Sequence, residues 1–434
     1  AAEALSEAAY KSMASRYNVT LPNPILIEIF PKHDDFAVRC FGLPGAQVFL
    51  GICFGRLIAM DSPRAREQGA FNWQETLWHE IAHVFHLELT ANRIPRWLAE
   101  GIAVYEAANA RSEWDMNMEV IMVRALRGGQ LLPLRELDEG FTRRPDLISL
   151  AYYQASQIIV FIERRYGFGK VLALFPHFRQ GKSTEQAITA VFGQSVDEFD
   201  KAFQTFLREK FHPSQVKVEW PYEHSDPGHG PPRETEALRR QAEKDPQSFF
   251  ANLFYGAHLA EIGNHAEAEV YLKKAKVLLP EFVEPNNPYV LLADLYWKQN
   301  RRREAVAELE YVTAKNGKSF QEAVRLSEWQ LALGDTAAAA RAVERALNIF
   351  PYSFELQRQY GRLLLARRQP QRAVQTFRTV LAMNPVDRAE AYCWLAQAYL
   401  VWGQRQQAKK HALLALEIAP NFERAQEILL QAVE

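Results

Sequence analysis

The second half of the chain repeats with a period of roughly 34 residues from Pro246 onward. Most copies carry a small residue in a first helical segment, an alanine in a second, an apolar residue four positions later, and a closing proline or glycine. The recurring alanines are Ala268, Ala305, Ala339, Ala373 and Ala408. Small residues allow paired helices to cross closely, and larger apolar residues fill the space between neighbouring repeats. The pattern therefore predicts five helix pairs, with a terminal helix over residues 421–433 that covers the last apolar face.

This spacing resembles the tetratricopeptide repeat (TPR) family across residues 235–434. The resemblance implies an all-α TPR solenoid whose concave surface binds a protein partner. It indicates the fold and leaves the identity of the partner open. Immediately upstream, residues 212–234 are rich in proline and glycine, a composition typical of a linker.

A different motif lies in the first half, where His79, Glu80 and His83 form an HExxH pattern. Residues 72–86 around it have the apolar spacing of a helix. On that helix His79 and His83 lie one turn apart on the same face, so their imidazoles can bind one metal ion. Glu80 can then reach a water molecule at the metal without taking a ligand position.

A second helix is predicted to begin at Pro95, a favoured first helical position, and to carry Glu100 in its first turns. The chain can turn back between the two helices, which would bring Glu100 to the same metal. Two histidines and one glutamate leave the fourth position of a tetrahedral zinc site open, as catalytic zinc sites require. His86 lies on the same helix face about 10 Å along the axis from His79, so we expect it beside the ligands or on the helix surface.

Residues 71–83 and 94–106 resemble the peptidase MA-like gluzincin metallopeptidases, and the resemblance covers residues 20–210. It implies an α+β zincin-like catalytic domain, built from a small mixed sheet and the active-site helices. It further implies one Zn²⁺ per chain, with His79, His83 and Glu100 as the metal ligands. Glu80 then corresponds to the general base of peptide hydrolysis.

The same resemblance implies a tyrosine near a Tyr-x-Gln stretch that stabilises the tetrahedral oxyanion. The matching segment of this chain contains two adjacent tyrosines at the start of an apolar helix. Their position in the pattern points to Tyr152, and Tyr153 stays an alternative. Both could instead pack in an amphipathic helix with the hydroxyl at the surface.

Four apolar segments upstream of the HExxH motif predict strands, at residues 25–30, 36–41, 48–54 and 56–60. In the resembled fold, such a sheet lies against the metal-binding helix and its edge pairs with an extended substrate. We expect residues 51–58 to supply that edge. An interior strand or a simple hairpin is an equally good interpretation of any single segment.

Net charge, the length of apolar runs and the cysteine count limit the partners and the location that this chain can have. The formal net charge is -1, from 51 basic and 52 acidic residues, so nothing favours nucleic acid as a partner. No apolar run reaches the ~20 residues of a membrane-spanning helix. The three cysteines, Cys40, Cys53 and Cys393, cannot form a disulfide framework, and we expect free thiols, although Cys40 and Cys53 could pair.

We therefore predict a gluzincin-like metallopeptidase domain over residues 1–211, a linker over 212–234 and a TPR array over 235–434. The expected function is zinc-dependent hydrolysis of a peptide or protein substrate, with the array recruiting the substrate or a partner protein. One alternative is a scaffold that keeps the zincin fold without turnover, and another is hydrolysis of a non-peptide bond. Because the resembled peptidases are frequently exported from bacteria, we expect a periplasmic or secreted protein, and a cytoplasmic location stays open.

Overall fold

The computed structural model describes residues 2–433 except residues 23, 213, 220 and 222–233. It divides into two compact units, one of Ala1–Ala65 with Trp73–Gly317 and one of Arg66–Asn72 with Lys318–Glu434. Most of the predicted linker lies outside the described residues. The division of the chain into domains at residues 212–234 therefore stays a prediction.

Residues 2–211, which include the HExxH motif, form three strands and nine α-helices where the structure describes them. These elements are α1 (Ala2–Tyr17), β1 (Leu26–Phe30), α2 (His33–Phe41), β2 (Gly51–Phe54), β3 (Leu57–Asp61), α3 (Trp73–Thr90), α4 (Arg96–Ala110), α5 (Glu119–Gly128), α6 (Ile148–Tyr166), α7 (Gly169–Arg179), α8 (Thr184–Phe192) and α9 (Val196–Phe211). Short 3₁₀ helices occur at Pro63–Ala65, Ser112–Trp114, Leu137–Phe141 and Pro145–Leu147.

The sheet is mixed, with the strand order β1-β3-β2. Strand β3 pairs in parallel with β1, with Leu26 opposite Leu57, and antiparallel with β2, with Gly51 opposite Met60. Strand β2 is therefore an edge strand, and β3 is the central strand. The expected mixed sheet is confirmed, and the predicted edge segment divides between β2 and the start of β3.

One predicted strand is wrong, because residues 36–41 belong to helix α2. Asp34 and Asp35 lie in the first turn of this helix and Arg39 lies in the last, so the charges complement the helix dipole. Gly42 ends the helix in the left-handed conformation, with φ of 78°, and its N–H donates to the carbonyl oxygen of Val38. The short apolar stretch has no periodicity strong enough to separate strand from helix, and the charges and the glycine cap decide.

Helix α3 carries the HExxH motif and packs against α1, α4 and strand β2. Its inner face is anchored by Phe85, whose ring lies 5.4 Å from that of Tyr10 and 5.6 Å from that of Tyr17, both on α1. Helix α4 lies between α3 and α6, and every residue from Trp97 to Ala107 is buried. This burial fixes the rotation of α4, and with it the direction of the Glu100 side chain.

Helices α4 and α6 approach each other closely at Gly101. A Cβ atom at this position would lie 2.6 Å from the carbonyl oxygen of Ala155, well inside van der Waals contact. Only glycine fits between the two backbones. The close approach brings the residue before Gly101, which is Glu100, near the start of α6, where Tyr152 lies.

Residues 249–418 form five helix pairs, as the repeat spacing predicts, and a terminal helix follows them. The pairs are α11 (Phe249–Glu261) with α12 (His265–Leu278), α13 (Pro288–Lys298) with α14 (Arg302–Lys315), α15 (Phe320–Ala332) with α16 (Thr336–Ile349), α17 (Phe354–Ala366) with α18 (Pro370–Ala382) and α19 (Arg388–Val401) with α20 (Arg405–Ile418). Helix α10 (Thr235–Lys244) precedes them, and α21 (Glu423–Val433) packs on α19 and α20.

The small residues of the repeats lie at helix crossings. A Cβ atom at Gly256 would lie 2.9 Å from Cγ of Leu272, and one at Gly361 would overlap the ring of Phe377. Each crossing joins the two helices of one pair, α11 with α12 at Gly256 and α17 with α18 at Gly361. The TPR-type fold of the second half is therefore confirmed, for the physical reason that the sequence indicates.

Among the described residues, no helix combines the length and the apolar character that crossing a bilayer requires.

The crossing at Gly101 leads to a stability prediction. Gly101→Ala should lower the free energy of unfolding by about 1–2 kcal/mol, since overpacking against a backbone outweighs the ~1 kcal/mol that alanine gains over glycine in a helix. Urea denaturation followed by tryptophan fluorescence measures the difference. Gly169→Ala is the matched control, because a Cβ atom at this helical glycine meets no atom within 4 Å. Equal stability of the two variants would show that the close crossing is unimportant.

Candidate metal centre

Three side chains from two helices converge at one point. Nε2 of His79 and Nε2 of His83 lie 3.1 Å apart, and each lies 3.4 Å from Oε2 of Glu100. The histidines are one turn apart on α3, and Glu100 is in the second turn of α4. The structure therefore brings the three predicted ligands together.

The donor set fits a zinc ion. Donor atoms bound at 2.0–2.2 Å to one tetrahedral zinc lie roughly 3.3–3.6 Å apart, close to the observed separations. Among the described residues, this is the one cluster of histidine, cysteine and carboxylate groups with donor atoms near enough to hold a metal. The side chains of His79 and His83 are 20% and 13% exposed, so the centre is open to solvent.

The Glu100 carboxylate is buried and anionic. Burial alone would raise its pKa, but the imidazoles of His83 and His79 hold the pKa well below its ordinary value. An ionised carboxylate with an oxygen directed at two imidazoles is the form that binds a metal cation. The guanidinium of Arg96, whose Nε lies 3.5 Å from Oε1 of Glu100, offsets part of the cost of burying this charge.

Glu80 is also buried but lies in a different environment. Burial raises the pKa of Glu80 to about 7, the nearby Glu100 carboxylate adds to the rise, and His79 opposes it. The edge strand makes room for this carboxylate, because a Cβ atom at Gly51 would lie 2.9 Å from Oε1 of Glu80. The sequence analysis does not assign this role to Gly51. The feature that could have indicated it is a glycine at the first position of the strand beside the helix of the HExxH motif.

Of the two candidate tyrosines, the structure brings only Tyr152 to the centre. Its phenol is half-buried, and the carboxylates of Glu100 and Glu80 and the guanidinium of Arg96 are near enough to act on its charge. Burial, followed by the charge of Glu100, raises the pKa of Tyr152, and the charge of Arg96 opposes the rise. Its ring also meets that of Phe141 edge to face, with the centroids 4.9 Å apart.

Tyr153 points elsewhere. It is buried, and its hydroxyl donates to Oε1 of Glu119 on α5 at 3.2 Å. Burial raises the pKa of Glu119 to about 7. Consecutive residues of a helix face directions about 100° apart, which explains why only one of the two tyrosines reaches the metal centre.

His86 lies beside the ligands and is completely buried. Its ring centroid is 5.2 Å from that of His83, and neither of its ring nitrogens has a hydrogen-bond partner among the described residues. Burial lowers the pKa of His86 well below its ordinary value, and His83 and His79 act in the same direction. A position on the helix surface, one of the two that the sequence allowed, is therefore wrong.

Models of known protein families match both halves of the chain. Residues 67–209 match the family model described as the Peptidase MA superfamily. Residues 290–354, 330–392 and 389–422 match three tetratricopeptide repeat models. No curated protein matches the chain at a significant level.

Several solved TPR structures resemble part of the chain. YrrB, described as a TPR protein with an unusual peptide-binding site, is 18% identical, covers 45% of this chain and 98% of its own, and has a TM-score of 0.34. MamA is 20% identical and covers 39% of this chain and 90% of its own, with a TM-score of 0.30. A thermophilic TPR protein of Thermus thermophilus is 21% identical and covers 43% of this chain and 98% of its own, with a TM-score of 0.24.

The positions of the histidines predict which of them bind zinc. His83→Phe should lose most of the bound zinc, because it removes a ligand, whereas His86→Phe should retain about one zinc per chain. The two substitutions are matched, since both replace an imidazole of α3 by a ring of similar size. Metal analysis after dialysis measures the zinc content. Loss of zinc from His86→Phe alone would contradict the ligand set.

Proposed function

Since this chain carries a Peptidase MA superfamily domain followed by tetratricopeptide repeats, we propose that it is a zinc-dependent peptidase with a protein-binding array. The main support is the convergence of Nε2 of His79, Nε2 of His83 and Oε2 of Glu100, with the Glu80 carboxylate beside them. In this proposal His79, His83 and Glu100 hold one zinc ion per chain. When bound, zinc lowers the pKa of a water molecule to about 7 and polarises the scissile carbonyl.

Glu80 acts as the general base. Its carboxylate is on the same helix as the two histidines but is not among the ligands, so it is free to exchange a proton. Glu80 accepts a proton from the attacking water as the new carbon–oxygen bond forms. It returns that proton to the leaving nitrogen as the carbon–nitrogen bond breaks, which yields a free carboxylate and a free amine.

Tyr152 stabilises the oxyanion that develops on the carbonyl oxygen. Its hydroxyl lies within reach of the charge of both Glu100 and Glu80, on the side of the centre formed by α6. A preorganised O–H donor stabilises the transition state more than the ground state, because the charge on the oxygen appears only as the reaction proceeds. Tyr153, bonded to Glu119, has a structural role in this proposal.

The edge strand β2 supports an extended substrate. Among the described strands it pairs with β3 on one side only, and Gly51 places its backbone against the Glu80 carboxylate. An extended peptide that adds to this edge would have its backbone fixed beside the general base. The repeats would recruit a protein substrate or a partner on their concave surface.

The base assignment predicts a separation of catalysis from metal binding. Glu80→Gln should lower the hydrolysis rate by about 10²–10⁴-fold, while the zinc content stays near one per chain. The measurement is digestion of a broad peptide library with and without a chelator, alongside metal analysis of the same samples.

Glu88→Gln is the matched control, because Glu88 is also on α3 but pairs with Arg56 through a 2.9 Å contact. This control should keep full activity. Full activity of Glu80→Gln would contradict the mechanism. A zinc-loaded wild-type chain that cleaves no peptide would favour the scaffold alternative.

The adjacent tyrosines allow a matched test of the oxyanion donor. Tyr152→Phe should lower kcat by about 100-fold or more, and Tyr153→Phe should leave kcat within a few-fold of the wild type. Steady-state kinetics on one cleaved peptide gives both values. The reverse order of the two effects would move the donor role to Tyr153.

A further inference from the structure

Helix α4, which carries Glu100, begins without a side-chain cap of its own. The first N–H groups of a helix have no partner within that helix, and Pro95 at this end makes no side-chain hydrogen bond. The N–H of Ala99 donates to the carbonyl oxygen of Pro95 at 3.1 Å. The N–H of Trp97 donates instead to Oδ1 of Asp138 at 2.7 Å. The cap of α4 therefore comes from a separate segment of the chain.

Asp138 lies in the 3₁₀ helix that ends at Phe141, and this short helix packs against α6. A Cβ atom at Gly140 would lie 2.9 Å from Cβ of Ala151, so the two segments are in close contact. The ring of Phe141 meets that of Tyr152 edge to face, with the centroids 4.9 Å apart. These contacts hold the 3₁₀ helix at the start of α6.

A second contact with α6 fastens the residues that precede this 3₁₀ helix. Oε1 of Gln154 accepts a hydrogen bond from the N–H of Leu132 at 3.1 Å, and Nε2 of Gln154 donates to the carbonyl oxygen of Leu132 at 2.5 Å. Both residues are buried, and a buried polar contact with its partners in place makes a segment more rigid. The position of Asp138 is therefore set by α6 and not by α4.

The same 3₁₀ helix contacts the first turn of α4 at a second point. The guanidinium of Arg96 lies over the ring of Phe141, 5.5 Å from its centroid. Burial raises the pKa of Asp138, and the hydrogen bond from the N–H of Trp97 opposes that rise. A carboxylate at this end of a helix also interacts favourably with the helix dipole. The first turn of α4 is therefore held by a segment that is itself anchored to α6.

We propose that Asp138 is a positioning residue for Glu100. Glu100 follows Trp97 by three residues, less than one turn of α4, so an anchored first turn fixes the direction of the Glu100 side chain. Oε2 of Glu100 then stays 3.4 Å from Nε2 of both His79 and His83. This role rests on the proposed zinc peptidase, whereas the contact of Asp138 with α4 does not.

Zinc affinity tests this role without relying on peptidase activity. In the full chain, Asp138→Ala should weaken zinc binding by about 10–100-fold, as substitutions of residues that orient metal ligands do. Asp138→Asn should bind zinc within a few-fold of the wild type, because an amide oxygen also accepts a hydrogen bond from a helix N–H. Competition with a chromogenic chelator measures the dissociation constant of each variant.

Ser195→Ala is the matched control. Oγ of Ser195 accepts from the N–H of Glu198 at 3.3 Å and caps α9, which carries none of the three proposed ligands. Because Asp138→Ala and Ser195→Ala each remove a helix cap, both should lose stability to a similar extent, but only Asp138→Ala should lose zinc affinity. Wild-type affinity in Asp138→Ala, or equal losses in the two variants, overturns the proposal. A wild-type chain that binds no zinc instead overturns the proposed function, and this role of Asp138 with it.

Hydrogen exchange in the zinc-free chain tests the contact itself. Tryptophan is labelled with ¹⁵N, and the backbone amide signal of Trp97 is assigned by its loss in Trp97→Phe. This amide should lose its protection from exchange in Asp138→Ala and keep it in Asp138→Asn and Ser195→Ala, because only the first variant removes its acceptor. If Asp138→Ala does not fold, Asp138→Glu takes its place in both measurements, since it keeps the charge and displaces the carboxylate by one methylene. Unchanged protection of the Trp97 amide overturns the proposal.

Discussion

The candidate metal centre depends on the way in which helices α3, α4 and α6 pack together. Helix α3 supplies two imidazoles on one face, but it cannot supply a carboxylate at the same point. Helix α4 does so because its burial fixes its rotation, and because Gly101 allows its backbone to lie against that of Ala155 on α6. The same crossing brings Tyr152 to Glu100. A single close approach of two helices therefore places both Glu100 and Tyr152.

Within this arrangement the protein gives two glutamates opposite properties. Both Glu80 and Glu100 are buried, so burial favours the neutral form of each. At Glu100 the two imidazoles outweigh burial and lower the pKa, whereas at Glu80 burial dominates and raises the pKa to about 7. Environments that separate the pKa values of paired carboxylates also separate their chemical roles. The structure thus favours Glu100 as a ligand and Glu80 as a proton acceptor, the assignment that the HExxH pattern indicates.

The sequence predicted those features that depend on local spacing. Periodicity over a few residues predicts that His79 and His83 lie one helical turn apart on the same face. It also predicts the helix that carries Glu100 and the helix pairs of the repeats. It failed where distant segments decide the outcome. The pocket that Gly51 leaves for Glu80 and the contact of the Phe141 ring with that of Tyr152 arise only when separate elements pack. Residues 36–41 were wrongly predicted as a strand because a short apolar run is ambiguous, and flanking charges and Gly42 made it a helix.

X-ray absorption spectroscopy at the zinc edge of the metal-loaded chain would identify the ligand atoms without depending on turnover. In our proposal, two imidazoles from α3 and one carboxylate oxygen from α4 bind one zinc ion and leave one coordination position for solvent. We expect a first shell of nitrogen and oxygen only, at about 2.0–2.2 Å, with the multiple scattering of two imidazoles. That shell should lose an oxygen donor in Glu100→Ala. A sulfur neighbour at about 2.3 Å, or a first shell that is the same in Glu100→Ala, would contradict it.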